Sequence, residues 1–304
     1  MGKRKDGEGD SKVRFSYSTA DQPLVQRAVI QAIEKIGGQR KLKKLYDEHQ
    51  TNPRDGESFF DSCIRLLDLE VRYDAEKLAA TPAEGPVVFV ANHPYGVLDG
   101  IVLTWLSMRV RPDTKVLANS VLCQAPDARP NLLPVDFAGT KEARTTNVRS
   151  RIDAQNWLRD GHAIGIFPGG GVSTSEKPLK GPAIDLPWAP FTAKMIRAAK
   201  ASVVPVYFTG QNSRLFQLAS HMSMTLRLSL VFRETARRMG SPLEVRVGKP
   251  ISWAELEPLE DRNAMVELLR RRTFALAASP DGDLPTPARY MRPFVLKRGK
   301  PEAD

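Results

Sequence analysis

Apolar positions along this chain keep two rhythms. From Pro23 onward, Leu24, Val25, Ala28, Val29, Ala32, Ile33 and Ile36 recur at helical spacing, and Gly37-Gly38 ends the run. Leu42, Leu45 and Tyr46 predict a short basic helix carrying Arg40, Lys41, Lys43 and Lys44; Phe59, Phe60, Cys63, Ile64 and Leu67 predict another. Amphipathic helices of this kind either cover a sheet or bind a membrane, and a cover is the expectation here. After residue 85 the rhythm changes. Short apolar runs rich in β-branched residues at 87–91, 115–118, 132–137, 163–167, 203–208 and 244–247 predict strands. Helical patterns at 101–110, 148–158, 191–199 and 264–278 lie between and after them. Such alternation implies an α/β fold, a mainly parallel β-sheet flanked by helices, with an N-terminal helical section. The expected organisation is a flexible charged tail (1–20), the helical section (21–84), one catalytic domain (85–280) and a basic, Pro-containing tail (281–304).

Composition narrows the partners. The 304 residues are 41% hydrophobic, ordinary for a soluble globular chain, and carry a formal charge of +10. That charge favours an anionic membrane surface or an acidic protein or ligand. Nucleic acid is not expected, because the aromatics sit inside apolar runs instead of among the basic clusters. Cys63 and Cys123 show no pairing pattern and read as reduced core thiols of a cytoplasmic protein. His49, His93, His162 and His221 are scattered without Cys or His neighbours, so neither a metal site nor a cofactor is expected. The N-terminus, Met1-Gly2-Lys3-Arg4-Lys5-Asp6, lacks a signal-peptide core, and no apolar run approaches the ~20 residues of a spanning helix. Work on a membrane is therefore expected from its surface, peripherally at the inner, cytoplasmic membrane.

Three segments carry candidate chemistry. Asn92-His93-Pro94-Tyr95-Gly96-Val97-Leu98-Asp99-Gly100 lies between a predicted strand and a predicted helix, where α/β enzymes place reactive groups. A histidine oriented by a carboxylate is a ready general base; an N-capping Asp beside a loop His is the plainer reading. Phe167-Pro168-Gly169-Gly170-Gly171-Val172-Ser173 follows another strand, and its glycines let backbone N–H groups approach a ligand or an oxyanion. It matches neither a P-loop nor a nucleophile elbow, and a tight turn is its alternative. Pro205, inside the apolar run 203–208, points to a sheet edge or a bulge.

In order and spacing these three segments resemble the glycerolipid (lysophospholipid) acyltransferase superfamily, over roughly residues 85–215. The string NHPYGVLDG, with LANSVLC, LLPVDFAGT, DLPW and GQNSRLF, is similar to the branch of bacterial aminolipid (ornithine-lipid-type) O-acyltransferases and hemolysin-like proteins. The resemblance implies His93 and Asp99 as the catalytic pair. It implies substrate contacts from Asn92, Pro94, Tyr95, Gly96, Phe167, Pro168, Gly169, Gly170, Gly171, Val172, Ser173 and Pro205. Acyl carrier protein or acyl-CoA would donate the acyl group, and a lysolipid hydroxyl would accept it.

This sequence departs from the superfamily pattern in three places. Five residues, not four, separate His93 from Asp99, so the segment must bend before its helix, as Pro94 and Gly96 permit. Gly171 stands where many relatives carry Glu. No arginine appears in Leu133-Pro134-Val135-Asp136-Phe137. The last two favour a lyso-aminolipid acceptor over a 1-acylglycerol-3-phosphate or other lysophospholipid; Asp136 and Asp185 are candidates to pair with its amino group, with a loop or cap role the plainer reading of each. The rivals are a serine hydrolase using Ser173 and a catalytically silent lipid- or carrier-binding protein. Arg270-Arg271-Arg272 is either a docking surface or a solvated helix face.

Overall fold

The computed structural model describes residues 38–137 and 140–278. The expected tails over 1–20 and 281–304, and the helix expected over 23–36, lie outside the described residues. In chain order the elements are α1 (Gln39–Thr51), α2 (Phe59–Leu66), β1 (Glu70–Tyr73), α3 (Ala75–Ala79), β2 (Val87–Ala91) and α4 (Val97–Met108). Then come β3 (Lys115–Asn119), β4 (Leu132–Val135), α5 (Lys141–Arg159), β5 (Ala163–Ile166) and a hairpin of β6 (Thr174–Lys177) with β7 (Lys180–Ile184). The chain continues through α6 (Phe191–Ala199), β8 (Ser202–Phe208), α7 (Arg214–Met222), α8 (Met224–Arg237), β9 (Pro242–Val247), α9 (Trp253–Leu256) and α10 (Arg262–Ala275).

Seven strands form one sheet in the order β1-β9-β8-β2-β5-β3-β4. Every neighbouring pair is parallel except β8 with β9. Strand β2 lies near the middle with all five residues buried, as a strand covered on both faces must. Its alternation splits the core. Val87, Phe89 and Ala91 pack with Leu98, Val102 and Leu106 of α4, under α1 and α2, whereas Val88 and Val90 pack with Leu158, Ile196 and Leu269 on the opposite face. Helices α1 and α2 therefore cover the sheet, as their spacing implied.

Two expectations need correction. The sheet begins before residue 85: β1 joins it as an edge strand from within the section read as helical, and its alternating exposed and half-buried residues left no apolar run to mark it. The polar hairpin β6–β7 and the pair α7–α8 were likewise not anticipated. Pro205 lies on no sheet edge but at the expected bulge: it is buried in interior strand β8 beside Val90, between the pair Val206–Val247 and the pair Val203–Ile251, which is one residue out of register, so the interrupted ladder does not need the N–H that proline lacks.

Helix α2 is held at its start by a capping box between Ser58 and Asp61. One turn later Arg65 grips Glu57 through two nitrogens, at 2.7 and 2.6 Å, and Ser62 donates to the same carboxylate. The guanidinium holds the Glu57 carboxyl down from 4.5 to about 2. A depressed folded-state value means the stability is present above pH 4.5 and is lost as pH falls towards 2. Glu57→Gln is thus expected to melt roughly 2–4 °C below wild type at pH 7. Thermal scans across pH should show that gap closing below pH 4.5.

Candidate active site

As the chain leaves β2, Asn92 clamps the strand end to β8: its Nδ2 donates to Phe208 C=O at 3.0 Å, and Phe208 N–H donates to its Oδ1 at 2.7 Å. Pro94 and Gly96 then turn the chain, Gly96 with φ +87°, and α4 begins at Val97. The extra residue between His93 and Asp99 is taken up in this turn. Asp99 is fully buried in the first turn of α4, and its Oδ2 accepts the N–H groups of Tyr95 (2.7 Å) and Gly96 (2.9 Å). The same oxygen lies 3.1 Å from Nδ1 of His93. Helix cap and histidine partner are therefore one carboxylate. The approach has the distance of an ion pair without the alignment of a hydrogen bond, a common looseness in an unliganded catalytic pair. Burial pushes the Asp99 carboxyl up, while His93 and the two N–H donors hold it back.

The His93 ring stacks on Phe167, centroids 4.1 Å apart at 27°, which brings the first two sequence motifs into contact. With Nδ1 against Asp99 and 17% of the side chain exposed, Nε2 is left to the open side. The peptide of His93 is fixed separately. Its C=O accepts from Ser173 N–H at 2.7 Å and its N–H donates to Asp185 Oδ1 at 3.1 Å. Asp185 also accepts from the Ser173 hydroxyl and from Trp188 Nε1–H (3.0 Å). Burial pushes its carboxyl up as well. In the glycine loop, Gly170 N–H closes a turn onto Phe167 C=O at 2.9 Å. The N–H groups of Gly169 and Gly171 donate to no acceptor among the described residues.

A family model described as Acyltransferase matches residues 44–283. The chain belongs to this acyltransferase family. Two curated relatives are both named lyso-glycine lipid O-acyltransferase. The one from Bacteroides thetaiotaomicron is 27% identical over 250 residues, covering 80% of this chain and 87% of the relative. The one from Phocaeicola vulgatus is 25% identical over 237 residues, covering 75% and 80%. Among solved structures, the 1-acyl-sn-glycerophosphate (LPA) acyltransferase PlsC from Thermotoga maritima overlays with a TM-score of 0.42 at 16% identity, covering 84% of this chain and 82% of that one. That overlay is too loose to build on.

Within this acyltransferase, the fold gathers His93, Asp99, Phe167 and the loop Gly169-Gly170-Gly171 at one place. Other sequence candidates turn inward. Asn92 is spent on the β2–β8 clamp. Tyr95 is buried, donates its hydroxyl to Thr209 C=O, and lies 4.5 Å beneath the Arg238 guanidinium; burial pushes its phenol up to about 12. Ser173 is 2% exposed and its hydroxyl donates to Asp185 and to no ring nitrogen of His93, so the serine-hydrolase reading loses its nucleophile. Asp185, considered as a partner for an amino group, is instead buried behind His93 with its oxygens occupied. Pro168 is buried, and its C=O accepts from Ala189 N–H. The Arg270-Arg271-Arg272 run splits: Arg270 lies over the Phe274 ring at 5.1 Å, while Arg271 and Arg272 are exposed.

The sequence reading missed Trp188 as a partner of Asp185, and Arg227 of α8. The guanidinium of Arg227 donates to Val172 C=O and, at 2.7 Å, to Thr174 Oγ1, tying α8 to the glycine loop. Phe216, Ala219, Leu230 and Val231, buried at helical spacing behind the Ser213 cap, were the available signal for these helices.

Proposed function

We propose that this acyltransferase moves a fatty acyl group from a thioester, acyl carrier protein or acyl-CoA, to the hydroxyl of a lysolipid, most closely a lyso-aminolipid. The observation carrying the reading is the His93 ring, held between Asp99 and Phe167 with Nε2 left open beside unused loop N–H groups. The carboxylate at Nδ1 favours the tautomer with the proton there, which leaves the Nε2 lone pair as the base. Nε2 takes the hydroxyl proton as the acceptor oxygen attacks the thioester carbon. The C–O bond forms, the C–S bond breaks, and the departing thiolate takes the proton back from Nε2. Gly169 and Gly171 N–H face the developing oxyanion in this scheme.

The chain's remaining features suit such substrates. An apolar cleft runs beneath α1 and α2 and is walled by Leu45, Phe59, Leu66, Ile101, Ala125 and Phe232. Ile101 belongs to the helix whose first turn carries Asp99, so a fatty chain lodged there would begin close to the dyad. Among the described residues no helix is long and apolar enough to cross a membrane. Exposed Leu179, Leu215, Met222 and Met224 stand on the hairpin and on α7–α8, near Lys177, Lys180 and Arg214. Hydrogen bonds from Arg214 and His221 tie α7 to that hairpin. We read this corner as docking peripherally on an anionic membrane, at its cytoplasmic face.

The deciding experiment offers purified enzyme acyl carrier protein or CoA thioesters with lyso-glycine, lyso-ornithine and 1-acylglycerol-phosphate acceptors in phosphatidylglycerol vesicles. Ester formation on a lyso-aminolipid is expected. Transfer only to 1-acylglycerol phosphate would replace that acceptor assignment, and thioester consumption without ester product would end the reading. Chain length supplies a finer check. Ala125→Leu fills the cleft wall at a buried alanine and should shift donor preference to shorter acyl chains in a competition assay. An unchanged preference would place the acyl chain elsewhere.

A further inference from the structure

Arg227 presents an unusual electrostatic problem. A guanidinium carries five N–H donors and never sheds its charge under ordinary conditions. Here it is partly buried against the Phe216 ring, 5.6 Å away, and its two bonded acceptors, Val172 C=O and Thr174 Oγ1, are both neutral. Among the described residues no carboxylate pairs with it; Glu234, two turns along the same helix, is taken by Ser213, Arg233 and Arg237. Burial alone draws its pKa down to about 10, with no anionic neighbour to offset the loss of water. A cation left this way costs stability unless an anion arrives to share the site.

Its position says where that anion comes to rest. The terminal Nη2 lies 3.9 Å from where a Cβ on Gly171 would stand. Val172 C=O and Ser173 N–H are the two ends of one peptide unit, the first bonded to Arg227 and the second to His93 C=O, so the guanidinium grips the same peptide that fixes the base. The adjacent Val172 side chain would lie 3.1 Å from a Cβ on Gly96, and Val231, one helical turn beyond Arg227, would lie 3.4 Å from it. Helix α8, the glycine loop and the turn before Asp99 thus form one packed unit. A glycine at 171 brings no carboxylate to the arginine and leaves room beside it.

We propose that Arg227 is an acceptor-specificity residue, whose remaining N–H groups bind the anionic headgroup, a carboxylate or phosphate, of the lysolipid whose hydroxyl His93 deprotonates. This rests on the lysolipid reading above. The bound anion supplies the counter-charge the fold omits, and the fork held by Val172 and Thr174 sets the headgroup's distance from Nε2. An acceptor lacking the anion leaves that charge unmatched, so neutral lipids are discriminated against.

The test uses binding, so it stands apart from turnover. N-palmitoylglycine and its methyl ester are titrated calorimetrically into wild type, Arg227→Gln and Arg227→Lys, with coenzyme A titrated in parallel and folding checked by circular dichroism. Wild type is expected to prefer the free acid by roughly 10- to 100-fold, the usual strength of a charge-assisted hydrogen bond. Arg227→Gln should erase that preference without weakening coenzyme A, and Arg227→Lys, which keeps charge but not the fork, should restore part of it. Weaker coenzyme A binding with the acid preference intact would assign the arginine to a phosphate of the donor and overturn the proposal. Equal loss of acid and ester would reduce it to a loop anchor. A wild-type acid preference lost in Arg227→Gln, beside failed transfer to every lysolipid, would instead fault the catalytic reading alone.

Discussion

His93→Ala is expected to lower acyl transfer by about 10²–10⁴-fold, the usual contribution of a positioned general base, while leaving the enzyme folded. The two effects separate because the side chain and the backbone of this residue do different work. Its peptide anchors Ser173 and Asp185, and those bonds survive the substitution. What disappears is one aromatic stack, worth about 0.5–1.5 kcal/mol, and one close contact with Asp99. The loss in rate corresponds to about 3–5 kcal/mol of transition-state stabilisation, well above the loss in stability. Initial rates beside a thermal melt measure both. Retained transfer in a folded His93→Ala enzyme would remove the histidine from the chemistry.

Asp99→Asn is expected to cost a similar factor in kcat, roughly 10²–10⁴-fold, without lowering the melting temperature. An amide oxygen still accepts the N–H groups of Tyr95 and Gly96, so the helix start is kept. Lost is the negative charge that favours Nδ1–H and stabilises the imidazolium. The stability side follows from the direction of the shift. Burial raises the folded-state pKa of Asp99 above its ordinary 3.8, so folding favours the protonated acid. Its stabilising share is then full below pH 3.8 and declines as pH rises through the folded-state value, leaving a buried carboxylate that costs the protein at neutral pH. Replacement by a neutral amide removes that cost. Wild-type kcat/KM should also fall at acid pH along a limb belonging to the His93–Asp99 pair, and that limb should shift in the variant. A marked drop in melting temperature with near-normal kcat would make Asp99 a helix cap and nothing more.

The parts of the molecule readable from residue order share a property: they are specified by near neighbours in the chain. Strand β2 is a run of apolar residues ended by Asn92, and the turn to α4 is announced by Pro94 and Gly96. His93, Asp99 and the loop after Phe167 could be marked because each sits where an apolar run stops. Strand β1 could not, since Glu70-Val71-Arg72-Tyr73 lies on an edge with one side wet and has no continuous apolar signature. In the hairpin β6–β7 the first strand is wholly polar and the second carries glycine and proline, and the hairpin is tied from outside through Gln217 and His221 of α7. Pro205 could be read only as far as two alternatives. A proline in a strand marks an edge or a bulge, and the register shift between Val206–Val247 and Val203–Ile251 decides for the bulge.

Residue order was enough to settle the class of fold, the acyltransferase kinship and the pair of side chains to be tested first. Folding alone decided the rest, because it depends on groups far apart in the chain that lose water together. Asp185 meets His93 across 92 positions, and Asn92 meets Phe208 across 116. Arg227 reaches Val172 across 55, and no carboxylate follows it there. Whether a charge is matched or stranded is a property of the space around it, which periodicity along a chain does not encode.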